Sequence, residues 1–393
     1  MSEVAVKTEK PARAAQVLKL IADAGAAGRR LEIVGGGTKR SIGRVEGADA
    51  VLSLAKLDKV IDYAPEELVL TAQAGVKLSV LEALVAAEGQ MLPFEPPHLT
   101  GLLKSKGEPT LGGVLATNLS GPRRIRAGAA RDHFLGFEAV TGRGEAVKAG
   151  GKVVKNVTGY DLSKLMAGSW GTLAVLTEVT IKVLPVGRTE LTLLIFGLDD
   201  ARACEAMSLA MNAPVELSGA AHVPARTAAR PPLKGQMAVT ALRLEGFAAS
   251  VAARAETLML ALKAFGRAEQ LDGPHSREFW VQIREVEALH SDPHPLWRIS
   301  VPPASGWRAA ASLSGEALYD WAGGLIWLLS EDEPGKVRAT IQALGGHATC
   351  YRGHAPAFEP LSGSLAALTG RVKAAFDPNG VLNSGRFGPG RMS

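Results

Sequence analysis

The run Val34-Gly35-Gly36-Gly37-Thr38-Lys39 directly follows a short apolar stretch, and its three glycines leave successive backbone N–H groups open to an anion such as a phosphate. The spacing is neither G-x-G-x-x-G nor that of a P-loop, and a plain glycine-rich turn is the alternative reading. Three more clusters share this texture: Thr110-Leu111-Gly112-Gly113 through Ala116 and Asn118; Ser120-Gly121 through Gly128, Arg131 and Asp132; and Lys155-Asn156-Val157-Thr158-Gly159-Tyr160-Asp161 with Gly168-Ser169-Trp170-Gly171-Thr172-Leu173. Cys204 and Cys350 are the two cysteines, too few for a disulfide framework, a four-cysteine zinc site or a cubane cluster on this chain alone.

The elements that must carry these loops are legible from patterning. A helix is expected over 11–28, a strand over Leu31 to Val34, paired strands between Val51 and Ala74 around Pro65-Glu66-Glu67, and a helix from Leu78 to Ala87. Residues 90–130 are rich in Gly, Pro and Ser with little periodicity, which reads as a binding loop. A hairpin around Thr141-Gly142-Arg143-Gly144 and an alternating strand ending at Pro185 follow. Beyond Gly187, strands near 191–196 and 237–244 alternate with alanine-rich helices at 200–212 and 248–265, and the tail carries a helix from Ser364 to Phe376.

The 393 residues suffice for two or three domains at about 150 residues each. A net charge of +5, with 5% aromatic residues, argues against a nucleic-acid groove or a base-stacking platform. The charged N-terminus lacks a signal peptide's apolar core and no apolar run approaches a membrane span, which predicts a cytoplasmic protein with no direct membrane span.

Taken together at this spacing, the four glycine clusters resemble the FAD-binding domain of the vanillyl-alcohol oxidase and p-cresol methylhydroxylase (PCMH) flavoproteins over roughly residues 10–187. Leu296-Trp297-Arg298-Ile299-Ser300-Val301-Pro302, Asp320-Trp321, Gly345-Gly346-His347-Ala348-Thr349 and Phe376-Asp377-Pro378-Asn379-Gly380 extend the resemblance over most of the chain, to the E-subunit branch found in bacterial glycolate oxidases. The resemblance implies an α+β fold: a two-subdomain PCMH-type FAD-binding domain at 10–187, a smaller α/β cap (substrate) domain at 188–359, and a C-terminal helix and tail at 360–393 packing back toward the flavin. It implies FAD, with Gly35, Gly36, Gly37, Thr38 and Lys39 at the pyrophosphate, and Gly112, Gly113, Ala116, Asn118, Ser120, Gly121, Asp132, Gly168, Ser169, Gly171, Leu173 and Val175 along the flavin and adenosine portions. Covalently flavinylated members commonly have a histidine in the first phosphate loop; Thr38 stands after the glycines here, so noncovalent FAD is expected.

Flavin oxidation of a 2-hydroxy acid needs a cation for the carboxylate, a base for the hydroxyl proton and the carbinol carbon held over the flavin. Arg298, Arg386 and His347 are the candidates. Each has a structural reading as well: Arg298 paired with a buried acid, Arg386 capping the C-terminal packing, His347 a satisfied core residue. Where E subunits read Asp-Trp-Gly-Gly-Ala-Gln-Arg-Trp, this chain has Leu325 and Ile326 in place of Gln-Arg, which removes a candidate substrate cation. His347 and His354 share the separation of a metal-binding stretch in related D-2-hydroxy-acid dehydrogenases, but no acid or asparagine lies between them, so no metal is expected. His98 and His133 read as loop residues and His290-Ser291-Asp292-Pro293-His294 as a turn. Arg123, Arg124, Arg126 and Arg131 read as a solvated face or as a patch that steers an anion or docks an acidic partner.

The implied function is the FAD-binding subunit of a glycolate oxidase, oxidising glycolate or a similar small 2-hydroxy acid beside a paralogous flavoprotein D subunit and an iron–sulfur F subunit, with any membrane contact made through those partners. The alternatives are a subunit that retains FAD for relay or structure, and a free-standing D-lactate-type dehydrogenase.

Overall fold

A computed structural model describes residues 7–43, 45, 47–151 and 159–388; the Lys155–Thr158 part of the third cluster lies outside the described residues. The amino-terminal half is built on two sheets. Lys7–Glu9, Ala50–Ser53 and Leu31–Val34 pair in parallel, with Ala50–Ser53 central. A five-stranded antiparallel sheet runs in the order Val60–Ala64, Val69–Gln73, Ala174–Lys182, Phe134–Thr141, Ala146–Gly150. The stretch expected as one set of paired strands from Val51 to Ala74 is thus divided between two sheets. The chain turns at Leu54 to Leu57, where Leu57 N–H bonds the Leu54 carbonyl, and Leu57 is wholly buried.

Helix Ala14–Ala26 buries Val17, Ile21 and Ala24, one stripe at helical spacing, and helix Leu78–Ala87 buries Leu78, Leu81 and Val85. Both stripes meet the core formed by Leu70, Ala72, Val175, Val179 and Ile181 of the five-stranded sheet. The supposed irregular loop 90–130 holds helix Leu111–Thr117 and a helical turn at Arg124–Ala127. Gly112 and Gly113 hide the first from a propensity reading, since glycine disfavours helices, but burial of Leu111, Val114 and Leu115 outweighs that.

The carboxy-terminal half is an eight-stranded sheet ordered Ala268–Leu271, Thr189–Phe196, Val239–Gly246, Gly219–Val223, Glu316–Asp320, Leu325–Leu329, Leu296–Ser300, His347–Arg352, with every pairing antiparallel. Side-chain alternation sorts its two faces. Leu193, Ile195, Trp297, Ile299, Ile326, Leu328, Ala348 and Cys350 join a core under helices Asp200–Asn212, Ala248–Ala261 and Pro334–Ala343. Leu194, Leu296, Leu325, Trp327 and Tyr351 face the other way and pack with Ile42, Leu99, Leu102 and Leu119 from the first half. Helix Gly363–Phe376 then carries the chain back, and Leu382 bridges Leu31 of the parallel sheet. No helix among the described residues is long and apolar enough to cross a membrane.

Candidate active site

A cleft of about 770 Å³ opens where the parallel sheet ends, walled by Ile33 to Arg40, Pro109, Thr110, Gly112 to Val114, Ala116, Thr117, Trp170, Gly171 and Ala174 to Leu176, with Asn383 and Arg386 from the tail. Three of its glycines leave no room for a side chain. A Cβ on Gly36 would collide with the Glu108 carbonyl oxygen, one on Gly35 with Thr110 Oγ1, and one on Gly112 would meet Ala74 Cβ at 2.6 Å. Gly37 (φ +75°) and Gly171 (φ +69°) adopt left-handed backbone.

The polar groups of this cleft are electropositive and under-partnered. Lys39 is buried, its Nζ donating at 3.2 Å to Thr38 Oγ1 and to the His98 carbonyl, and burial lowers its pKa to about 8 against the opposing pull of Glu285. Arg386 donates from Nη1 to the Ile42 carbonyl at 2.8 Å, leaves Nε without a partner, and is brought to about 10 by burial. Thr110 Oγ1 is buried without a partner, and no carboxylate lines the cleft among the described residues. Arg40 is held back by Glu32, Nε donating to Oε1 at 2.8 Å. Asn383 ties the walls together: its Oδ1 accepts from Ile33 N–H and its Nδ2 donates to the Trp170 carbonyl, each at 2.7 Å. Open N–H groups, one buried ammonium and an orphaned hydroxyl fit a ligand carrying a pyrophosphate.

A second cavity of about 960 Å³ adjoins the first, sharing Thr117 and Trp170, and lies against the outer strands of the eight-stranded sheet. Arg298 and Ser300 alternate with buried Trp297 and Ile299, so they share the face turned toward the first half. In the adjacent strand Arg298 pairs with Thr349 and Ser300 with His347, and all four line the cavity with Tyr351, Phe358, Glu359 and Phe387. Asn118, Arg124 and Gly168 close it from the other half.

The structure therefore brings Arg298 and His347 together in the second cavity and sets Arg386 in the first. Gly35 to Lys39, Gly112, Gly113, Ala116, Gly171 and Val175 line the first cleft, and Asn118 and Gly168 the second. Ser120, Gly121, Asp132, Ser169 and Leu173 line neither. Ser120 Oγ accepts from Ala130 N–H at 2.9 Å, Asp132 accepts from Ala129 N–H at 2.8 Å, and Leu173 is wholly buried in the core. Ile326 points under the helices and Leu325 into the apolar layer between the halves; neither faces the cavity, so their replacement of Gln-Arg leaves its cations in place.

The arginine cluster divides three ways instead of forming one solvated face. Arg126 and Arg131 are exposed, Arg126 pairing Glu216 at 3.2 Å. Arg123 is half-buried in an ion network, donating to Glu95 at 3.0 Å and to Glu245 at 2.8 Å, while Arg243 bonds both oxygens of Glu95 at 3.0 and 2.9 Å. Burial pushes the Glu95 and Glu245 carboxyls up, but Arg243 and Arg123 outweigh it, lowering both and holding Glu245 to about 2. Arg124, also exposed, lines the cavity, its guanidinium 4.2 Å from the Trp321 ring centroid. Buried Asp320, beside Trp321, is raised to about 7, chiefly by burial. None of this network announces itself in the sequence, because its members are scattered over both halves.

A family model described as an FAD binding domain matches residues 8–150. The chain is 38% identical over 332 residues, 84% of its own length and 84% of the relative's, to glycolate oxidase subunit GlcE of Escherichia coli. It is 36% identical over 168 residues to a D-lactate dehydrogenase of Anaerostipes hadrus and 36% over 144 residues to glycolate oxidase subunit GlcD of Bacillus subtilis, stretches that span 32% and 29% of those relatives. Among solved structures, p-cresol methylhydroxylase with substrate bound superposes at a TM-score of 0.69 with 15% identity, covering 97% of this chain and 88% of that one. Alkyldihydroxyacetonephosphate synthase superposes at 0.70 with 17% identity, covering 96% and 76%.

Fold and cleft together define an α+β flavoprotein of the PCMH type, with FAD as its cofactor. Within that class the chain belongs to the family of glycolate oxidase subunit GlcE, FAD-linked oxidoreductases of 2-hydroxy acids.

Proposed function

We propose that this chain is the FAD-binding subunit of a glycolate-oxidising complex, converting glycolate or a similarly small 2-hydroxy acid to the 2-oxo acid and passing electrons to an iron–sulfur partner. The observation that carries the reading is the placement of Arg298 and His347 on one sheet face, in a cavity continuous with the glycine-lined cleft. FAD, once bound, supplies the two-electron acceptor. The chain's own residues do the rest. Gly35 to Lys39 hold the pyrophosphate through main-chain N–H groups and the Lys39 ammonium. Arg298 holds the substrate carboxylate, and His347 takes the hydroxyl proton while the hydride leaves the carbinol carbon. Phe358, Phe387 and Trp170, packed ring on ring at 4.8 and 5.2 Å, limit water around the reacting carbon.

Two cysteines cannot ligate a cubane cluster, so an electron path through iron–sulfur centres needs another polypeptide, and the likeness to GlcD and GlcE supports a multi-subunit assembly. The test is anaerobic addition of glycolate to the purified FAD-loaded chain. Bleaching of the flavin by this chain alone supports the reading, and bleaching only after a GlcD-like partner is added assigns it a relay role.

A further inference from the structure

Resting on that reading, we infer that Arg124 is a second carboxylate-binding cation of the same cavity, delivered from the FAD-binding half and fixed against Arg298 by the indole of Trp321. Arg298 and Arg124 lie 5.0 and 4.2 Å from the centroid of one Trp321 ring, so the two guanidinium groups are no further apart than the sum of those distances. Neither has a carboxylate within ion-pair distance among the described residues, whereas neighbouring Arg123 reaches three glutamates. Both line the second cavity. Two guanidinium groups brought to one indole, neither in an ion pair among the described residues, favour the arrival of an anion between them.

Trp321 is held too firmly for a casual neighbour. It is buried, its Nε1 donates to the Gly121 carbonyl at 3.0 Å, and its own N–H is capped by Asp320 Oδ1 at 2.7 Å. Its φ of +52° is followed by +56° at Ala322, two successive non-glycine residues in left-handed backbone. The turn thus keeps a strained geometry that aims the indole between the two halves. Arg123, one residue before Arg124, is locked to Glu245 of the eight-stranded sheet, so docking of the halves sets where Arg124 points. Among the described residues, Glu359 is the carboxylate that lines the cavity.

The probe is 2-hydroxy-2-methylpropanoate, which has the carboxylate and hydroxyl of a substrate but no hydrogen on the carbinol carbon. It is titrated into the FAD-loaded full-length protein, with any partner that co-purifies, while the visible flavin spectrum is followed. Arg124→Gln is expected to raise its dissociation constant about 10- to 100-fold with FAD content unchanged, as Arg298→Gln does, and Arg124→Lys to recover part of the loss. Trp321→Leu is expected to weaken binding through both arginines, while Trp321→Phe keeps more of it. Unchanged affinity in Arg124→Gln, or no response from the parent protein, overturns the inference. So does a shift in flavin potential at unchanged affinity, which would assign Arg124 to the reduced cofactor. If the probe binds as expected but no 2-hydroxy acid is oxidised, the functional reading fails while the anion site stands.

Discussion

At the scale of single residues, two buried titratable groups make predictions in separate pH windows. Lys39 is lowered to about 8 by burial, and a pyrophosphate favours its charged form. Binding of FAD therefore takes up a proton at Lys39, and affinity is expected to fall as pH rises above about 8. Lys39→Met should abolish that slope and weaken FAD about 10-fold below it, read from flavin fluorescence on equilibrium dilution. Asp320 acts on folding and in a lower pH window. Its carboxyl ionises near 3.8 when exposed and near 7 in the fold, so the folded state keeps a proton that the unfolded chain has lost. Stability is expected to decline as pH climbs from about 4 to about 7, and Asp320→Asn, which still caps Trp321 N–H, should flatten that part of the melting curve.

At the scale of elements, the glycine-bearing loops work by close approach. Helix Leu111–Thr117 sits so near the Val69–Gln73 strand and its following turn that Gly112 has no room for a methyl against Ala74. Gly112→Ala should cost about 1–3 kcal/mol in chemical denaturation and loosen FAD, because the helix must move off the sheet. Gly113→Ala, whose Cβ would meet only Thr110 Oγ1 at 3.2 Å, should leave stability unchanged or higher by up to about 1 kcal/mol, since alanine favours a helix. The glycines themselves were visible in the sequence because steric need acts locally, residue by residue. That two of them belong to a helix was not, since burial of Leu111, Val114 and Leu115 overrides a propensity that reads as loop.

At the scale of the whole molecule, the two halves are joined by the Glu95, Arg123, Arg243 and Glu245 network as well as by apolar packing. Glu95 and Arg243 are 148 positions apart in the chain and both nearly inaccessible. Removing one partner strands the others without solvent, so Glu95→Gln is expected to cost about 3–5 kcal/mol and to split unfolding into two calorimetric steps. Added salt should change the parent protein little, because a buried network is poorly screened.

What depends on near neighbours was legible along the chain: the glycine-rich turn at Gly35 to Gly37, the helices whose apolar stripes recur at helical spacing, the shortage of cysteine, and through its motifs the flavoprotein family. Tertiary structure alone decided which arginine faces which task. Arg123 and Arg124 are adjacent in the chain, yet one is consumed by glutamates and the other opens into the cavity, and Asn383 closes the cleft from a distance of 350 residues along the chain. The physical reason is that charge neutralisation depends on separation in space. Local pattern records only what the backbone demands of its immediate neighbours.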